Sequence, residues 1–347
     1  MSRGLKIAGV VLALLIVAAG VGWSMLRRPD IPYATLEQRY GDARSRYVDL
    51  PGGFHVHYRD QGNAKGPTLL LLHGFYVSLE TWEPWVRYLG KDFRIVTVDL
   101  PGHGLTRTPK GYKPSLESLV RFVDAFARAK QLDHFVLGGS SMGGDVAWRY
   151  ALAHPERLRG LVLVGAAGWP DPRPGHKEPT DFLKIMGNPV LRFLLRDLDT
   201  SSQAREGMRA TYYAPDKFVT DAMTTRYVEL SRAPGRRDAF IDMAITFDHD
   251  FATSERLATL KTPTLILSGA QDQIVPPASA GRFASAIAGS RLILYQNTGH
   301  LAQEEAAALT AEHVRGFVMG LEPKRAPAAA AHKDAATSRN PNSVVFY

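Results

Sequence analysis

The segment Gly138 to Gly144 has the composition of a turn that carries a nucleophile. It reads Gly-Gly-Ser-Ser-Met-Gly-Gly and lies between the short apolar run His134 to Leu137 and the segment Asp145 to Ala153, where apolar residues recur at helical spacing. The pattern Gly-x-Ser-x-Gly, centred on Ser141, is typical of a sharp strand-to-helix turn that exposes a serine. The N–H groups at a helix N-terminus favour negative charge developing nearby. The predicted chemistry is attack by Ser141 on a carbonyl group.

The flanking glycines identify which serine is exposed. Side chains two positions before and two positions after the turn residue would collide, so Gly139 and Gly143 select Ser141 rather than Ser140. The pentapeptide also occurs in glycine-rich turns that only cap a helix, and alone it does not decide between the two interpretations. A catalytic interpretation requires a base, and an acid that orients the base, elsewhere in the chain.

Two later loops supply such groups. Asp272 follows the apolar run Pro263 to Ser268, and His300 ends an Asn-Thr-Gly-His segment that follows the run Arg291 to Tyr295. If both runs are strands of one open sheet, their carboxyl ends form one rim, where Ser141, Asp272 and His300 can meet. Their order along the chain, Ser then Asp then His, is one that Ser-His-Asp triads take.

Strand-like runs alternate with helical segments through most of the chain. A hairpin is predicted over Arg46 to Asp60, and no strand-like run occurs between about Trp169 and Lys261, where amphipathic segments predict a helical cap insertion. Further strands are predicted at Thr68 to Leu72, Phe93 to Val98, His134 to Leu137, Leu158 to Val164, Pro263 to Ser268 and Arg291 to Tyr295. The alternation predicts an α/β fold with a mostly parallel, twisted sheet and helices on both faces.

Five motifs in order resemble the α/β-hydrolase superfamily over Tyr47 to Leu321. They are His73-Gly74, Asp99-Leu-Pro-Gly-His-Gly104, Gly139-Ser-Ser-Met-Gly143, Gly269-x-x-Asp272-x-x-Val-Pro276 and Gly299-His300. The resemblance implies an α/β-hydrolase fold in which Ser141 is the nucleophile, His300 the general base and acid, and Asp272 the residue that fixes the imidazole tautomer. It also implies an oxyanion hole formed by the backbone N–H groups of Phe75 and Met142, and a loop-bracing role for Asp99.

The composition excludes several other classes of protein. The chain has no cysteine, which removes disulfides, thiolate nucleophiles and Cys-ligated zinc. Neither Gly-x-Gly-x-x-Gly nor His-Glu-x-x-His is present, and we expect no cofactor and no metal. Of the net charge of +8, residues 1–28 carry +4 and residues 322–347 carry +2. The remaining body is nearly balanced, so we expect no nucleic-acid partner.

The two ends of the chain differ from the body. The apolar run Ile7 to Leu26 has about the length that crosses a bilayer, and residues 1–28 are predicted to form a single-pass membrane anchor. A cleaved signal peptide would have a shorter apolar region and an Ala-x-Ala-like site. Basic residues flank the run on both sides, so their distribution alone hardly favours one orientation. We expect the body to lie on the extracytoplasmic side. Residues 29–45 are predicted to be a linker and residues 322–347 a disordered tail.

The body is predicted to consist of a hydrolase core, residues 46–168 and 262–321, that is interrupted by the cap, residues 169–261. The cap contains a series of apolar residues that could line an acyl pocket or form the cap's own core. The series is Phe182, Leu183, Ile185, Met186, Val190, Leu191, Phe193, Leu194 and Leu195.

A serine nucleophile with a histidine base implies acyl transfer, so the predicted activity is hydrolysis of a carboxylic ester. The anchor and the cap favour lipophilic esters, in resemblance to membrane-bound monoacylglycerol lipases. Two alternatives stay open: a hydrolase that cleaves carbon–carbon bonds of ring-cleavage products, and a catalytically silent binding protein with the hydrolase fold.

Overall fold

A single eight-stranded sheet organises the molecule. The computed structural model describes residues 3–171, 173, 186–246 and 250–321. The strands are β1 (Arg46–Leu50), β2 (Phe54–Gly62), β3 (Thr68–Leu72), β4 (Arg94–Val98), β5 (Phe135–Ser140), β6 (Leu158–Val164), β7 (Thr264–Gly269) and β8 (Arg291–Tyr295). Their order across the sheet is β1-β2-β4-β3-β5-β6-β7-β8. The β1–β2 and β2–β4 pairs are antiparallel and the other pairs are parallel, which confirms the predicted mostly parallel α/β sheet.

Fourteen helices are present among the described residues. They are α1 (Arg3–Leu26), α2 (Tyr33–Tyr40), α3 (Glu83–Leu89), α4 (Leu116–Ala129), α5 (Met142–Ala153), α6 (Pro189–Leu195), α7 (Ser201–Thr211), α8 (Pro215–Phe218), α9 (Asp221–Ser231), α10 (Arg236–Thr246), α11 (Ser254–Ala258), α12 (Pro277–Ala286), α13 (Ala302–Glu305) and α14 (Ala307–Met319). Single 3₁₀ turns lie at Leu79–Trp82 and Pro155–Arg157. Helices α13 and α14 are separated at Ala306, where the backbone leaves helical geometry.

The sheet has a hydrophobic core on each face. In β3, Leu70 and Leu72 pack into the core that contains α4 and α5, whereas Leu69 and Leu71 pack into the core that contains α3 and α14. This division follows from the strand geometry, since successive side chains point to opposite faces. Because both faces are covered, β3 reads as an uninterrupted apolar run rather than as an alternating one.

Helices α6 to α11 lie between β6 and β7 in the chain, in the region predicted to be a helical cap. No strand of the sheet occurs among the described residues of this region. Part of the apolar series in the cap, Phe182, Leu183 and Ile185, falls outside the described residues. Met186 is buried, but every apolar side chain of α6 is at least 37% exposed. The α6 part of the series therefore does not form a cap core.

Two helices precede the first strand. Helix α1 contains the span Ile7–Leu26, which is apolar and long enough to cross a membrane by length and composition. The stretch 29–45, predicted as a linker, includes α2, whose Leu36 is fully buried. Leu36 packs in a cluster with Tyr212 and Leu230 of the cap region. This segment therefore contributes to the packed body.

We expect Leu36→Ala to lower the free energy of unfolding by about 2–4 kcal/mol, because it leaves a cavity among closely packed side chains. Denaturant titration of the full-length protein in detergent would measure the change. Leu309→Ala, at a position of α14 that is 55% exposed, is the matched control, with an expected change within about 0.5 kcal/mol. Equal effects of the two substitutions would contradict a packed role for α2.

Candidate active site

Ser141 stands alone between β5 and α5 in a strained backbone conformation. Its φ of 52° and ψ of −119° lie in a region that costs a non-glycine residue about 1–3 kcal/mol. The close packing around it explains the glycines of the pentapeptide. A Cβ atom on Gly139 would overlap the carbonyl of Gly143, and one on Gly143 would overlap the carbonyl of Leu72. The backbone of α5 thus approaches the ends of β3 and β5 directly.

Asp272 and His300 come together at the same rim of the sheet. The loop after β7 presents Asp272, and the loop after β8 presents His300, with 2.8 Å between His300 Nδ1 and Asp272 Oδ2. The other carboxylate oxygen of Asp272 accepts hydrogen bonds from the N–H groups of Ile274 and Val275, at 2.8 and 2.9 Å. The side chains of Asp272 and His300 are buried, and each residue is 4% exposed. With Nδ1 engaged by the carboxylate, Nε2 is the imidazole nitrogen left for a reacting group.

Ser141 and His300 face one cavity of about 400 Å³. The other residues that line it are Phe75, Tyr76, Val77, Thr200, Gln203, Ala204, Gly207, Met208, Thr211, Tyr212, Met223, Ile274 and Leu301. Among these described lining residues there is no Asp, Glu, Lys or Arg. The cavity is suited to an apolar group with a few uncharged polar contacts.

Two backbone segments lie next to Ser141. Met142 opens α5, and the first N–H groups of a helix have no acceptor within it. Phe75 follows Gly74, and a Cβ atom on Gly74 would lie 3.1 Å from Ser141 Cβ. The peptide that joins Gly74 to Phe75 therefore lies against the serine. The N–H groups of Phe75 and Met142 are the two donors that the resemblance to α/β-hydrolases implies for an oxyanion hole.

Asp99 holds the loops behind this site rather than the imidazole of His300. Its carboxylate accepts hydrogen bonds from the N–H groups of Leu79 and Leu105, and it pairs with His57 Nδ1 at 2.7 Å. Burial alone would raise the pKa of Asp99, but the His57 and backbone hydrogen bonds hold it well below its usual range. A Cβ atom on Gly104 would overlap this carboxylate, which explains the glycine in the Asp-Leu-Pro-Gly-His-Gly motif.

Two buried histidines next to this brace have structural contacts. His73 Nε2 accepts the N–H of Leu100 at 3.0 Å, and its Nδ1 donates to the carbonyl of Gly74 at 2.7 Å. His103 Nδ1 lies 3.2 Å from the carbonyl of Pro101. Burial lowers the pKa of both imidazoles, since the charged form loses its hydration. Both side chains are therefore neutral elements of the loops.

A pair of glutamates that the sequence did not single out joins the histidine loop to the cap. Glu304 accepts hydrogen bonds from Thr81 Oγ1 and Tyr212 Oη, at 2.5 and 2.8 Å. Glu305 accepts from the N–H groups of Gly299 and Tyr213, at 2.6 and 3.1 Å. The only sequence signal for them is their position four and five residues after the histidine, because their partners are far away in the chain.

The family comparison covers most of the chain. A family model described as alpha/beta hydrolase fold matches residues 67–307. The monoacylglycerol lipase ABHD6 of Homo sapiens is 27% identical over 261 residues, covering 73% of this chain and 75% of that protein. The 2-hydroxy-6-oxo-2,4-heptadienoate hydrolase of Pseudomonas putida is 27% identical over 280 residues, 78% of this chain and 92% of that protein.

A solved structure matches over a longer stretch. The crystal structure of a membrane phospholipase A, a bacterial virulence factor, aligns with a TM-score of 0.67 and 25% identity. The match covers 92% of this chain and 99% of that one. It therefore extends well outside residues 67–307.

Glu304 should make stability depend on pH. Burial raises the pKa of its carboxyl from 4.5 to about 7, so the folded protein binds this proton more tightly than the unfolded chain. The resulting stabilisation is complete below the unfolded pKa and is lost as the pH rises through about 7. Glu304→Gln removes this titrating group. Between pH 4.5 and pH 8 we therefore expect the free energy of unfolding of the wild type to fall, relative to that of Glu304→Gln, by on the order of 1–2 kcal/mol.

Denaturant titrations at the two pH values would measure this shift, with Glu312→Gln, at an exposed position of α14, as the matched control. The same pH dependence in wild type and in Glu304→Gln would contradict the assignment.

Proposed function

Because this chain belongs to the alpha/beta hydrolase fold family, we propose that it is a serine hydrolase that cleaves lipophilic carboxylic esters of the monoacylglycerol type. The observation that carries the proposal is the cavity that Ser141 shares with His300, whose imidazole is hydrogen-bonded to Asp272. The three residues follow the chain order and the rim position of a Ser-His-Asp triad.

In the proposed reaction, Ser141 Oγ attacks the ester carbonyl while His300 Nε2 removes its proton. The N–H groups of Phe75 and Met142 bind the resulting oxyanion. His300 then protonates the leaving alcohol, and the C–O ester bond breaks to give an acyl-enzyme. Water, deprotonated by His300, attacks the acyl group, and the bond between the acyl carbon and Ser141 Oγ breaks. His300 returns the proton to Oγ, and the carboxylic acid is released. Throughout the cycle Asp272 holds the imidazole and stabilises its charged form.

The lining of the cavity supports a neutral, lipophilic substrate. The described lining has aromatic, aliphatic and thioether groups, including Phe75, Met208 and Leu301, and it has no formal charge apart from any on His300. Gln203 and Thr200 offer uncharged hydrogen-bonding groups for alcohol hydroxyls. Such a lining stabilises an acyl chain by removing its surface from water.

The N-terminal helix supports action at a membrane. The span Ile7–Leu26 is 0% buried in the protein, and a soluble protein would leave this apolar surface in water. The likeness to a membrane phospholipase A, at 92% coverage of this chain, points in the same direction. We propose an uncleaved single-pass anchor with the body on the extracytoplasmic side. The predicted tail, residues 322–347, lies outside the described residues.

Carbon–carbon bond hydrolysis is the second candidate, and the 27% identity to the heptadienoate hydrolase of Pseudomonas putida favours it. The substrate in that name carries a carboxylate, which is stabilised by a nearby cationic side chain. The described lining of the Ser141 cavity includes no arginine or lysine. Arg196 and Arg237 line an adjoining cavity but are paired with Asp238 and Asp197, so ester hydrolysis is the better supported reaction.

We expect Ser141→Ala to abolish covalent labelling by a fluorophosphonate probe and to lower ester hydrolysis by about 10³-fold or more, because the attacking oxygen is lost. Ser140→Ala is the matched control, since the hydroxyl of Ser140 is buried and accepts a hydrogen bond from Gln303. In-gel fluorescence of the probe would give the readout. Persistent labelling of Ser141→Ala, or no labelling of the wild type, would favour the catalytically silent binding protein.

The substrate class can be tested on the detergent-solubilised, full-length enzyme. We expect hydrolysis of monoacylglycerols and p-nitrophenyl esters, and no cleavage of a vinylogous diketone acid, because the described cavity lining has no cation to bind its carboxylate. Liberated fatty acid and the absorbance of the dienoate would be followed in parallel. Cleavage of the diketone acid in preference to the esters would replace the first proposal with the second.

A further inference from the structure

Helix α6 presents an apolar surface to its surroundings. Arg192 fixes the helix to the cap through hydrogen bonds to Asp238 and Asp242 of α10, both at 2.8 Å. Leu195, at 37% exposure, lines a cavity. The other exposed aliphatic and aromatic side chains, here called the α6 apolar face, are Val190 (67% exposed), Leu191 (40%), Phe193 (60%) and Leu194 (40%). Contiguous exposed apolar side chains of this kind mark interaction surfaces in folded proteins.

The end of α1 is attached to the same helix. Trp23 Nε1 donates a hydrogen bond to the carbonyl of Leu194 at 2.7 Å. Arg27, which directly follows α1, forms an ion pair with Asp197 at 2.9 Å. Trp23 lies inside the apolar span Ile7–Leu26, about 4.5 Å along the helix from its end at 1.5 Å per residue. Once the span crosses a bilayer, α6 is necessarily held at the membrane surface.

A second cavity begins beside α6 and leads toward Ser141. It has a volume of about 300 Å³ and includes Leu195, the last residue of α6, together with Phe240 and Ile241 of α10. It shares Phe75 and Tyr76 with the Ser141 cavity. The ring of Phe240 lies 5.2 Å from that of Phe75 and 5.4 Å from that of Tyr76. The two cavities therefore meet at these aromatic side chains. The second cavity is mainly apolar and is also lined by Arg196 and Arg237, which are paired with Asp238 and Asp197.

We propose that the α6 apolar face lies in the surface of the lipid bilayer beside α1, so that the second cavity opens to the membrane and admits an acyl chain toward Ser141. The proposal rests on the proposed function, because it requires α1 to be an uncleaved anchor. Insertion removes the four exposed side chains from water. The neighbouring Trp23 is of a residue type that is enriched at the membrane interface. Arg27 and Arg28 are held beside it by ion pairs with Asp197 and Asp199.

The absence of cysteine from the chain permits a direct test with single-cysteine variants of the full-length protein. Phe193→Cys, Leu14→Cys and Leu309→Cys would each carry an environment-sensitive NBD fluorophore after reconstitution into phosphatidylcholine–phosphatidylglycerol vesicles. Leu14, within the apolar span, reports on α1, and Leu309 is an exposed control on α14 (64% and 55% exposed). Quenching by nitroxide-labelled lipid and by aqueous iodide would be measured for each probe.

We expect the probe at position 193 to show blue-shifted emission, to be quenched by the lipid nitroxide and to be protected from iodide. The probe at position 14 should behave in the same way. The probe at position 309 should be quenched by iodide and not by the lipid nitroxide. If the probe at position 14 contacts lipid but the probe at position 193 is quenched by iodide, as at position 309, the inference is overturned and the anchor stays supported. Loss of lipid contact at Leu14 would overturn both the anchor and this inference. The readout does not require turnover, so a failed esterase assay would not affect it.

Activity gives a second, independent measurement. We expect Phe193→Asp to reduce hydrolysis of monoacylglycerol in vesicles by about tenfold, because it places a charge at the interface. Hydrolysis of water-soluble p-nitrophenyl acetate should change less than about twofold, since α6 contributes no residue to the Ser141 cavity. Leu309→Asp is the matched control for both substrates. Equal loss on both substrates, or an unchanged rate on vesicles, would contradict membrane docking by α6.

Discussion

Helix α5 packs so closely against the sheet that its first turn admits no side chains on the inner side. A Cβ atom on Gly143 would overlap the backbone of Leu72 and His73, and one on Gly144 would meet Ala166. This contact fixes where the helix starts, and it leaves the connecting residue, Ser141, only a conformation with positive φ. The strain is maintained because packing on both sides of the turn determines the backbone. The position of the hydroxyl is thus a consequence of backbone packing.

Much of this arrangement was predictable from local patterns. The continuous apolar runs of β3 and β7 follow from burial on both faces of the sheet, and the fold class that they predict is confirmed. The glycines of the turn identified Ser141, and strand ends placed Asp272 and His300 at one rim. The catalytic roles of these residues stay predictions, although the structure joins His300 to Asp272 by a hydrogen bond.

Other features depend on contacts between distant segments, and no local pattern encodes them. Glu304 and Glu305 become connectors only because the chain after α7 lies beside the histidine loop. Leu36 is buried because cap helices cover a segment that reads as a linker. In α6 the apolar residues were recognisable, but periodicity identifies an apolar surface without showing what covers it. Both a protein core and the interior of a lipid bilayer favour apolar side chains.

The backbone N–H of His300 donates a 2.7 Å hydrogen bond to the carbonyl of Thr211, at the end of α7. The proposed base is therefore attached by its own main chain to the cap. A cap that swung away as one rigid lid would pull on the imidazole and disturb its alignment with Asp272. Rotation of side chains, or displacement of helices remote from Thr211, would open the cavity without disturbing this hydrogen bond. The hydrogen bond therefore couples the position of the proposed base to the position of the cap.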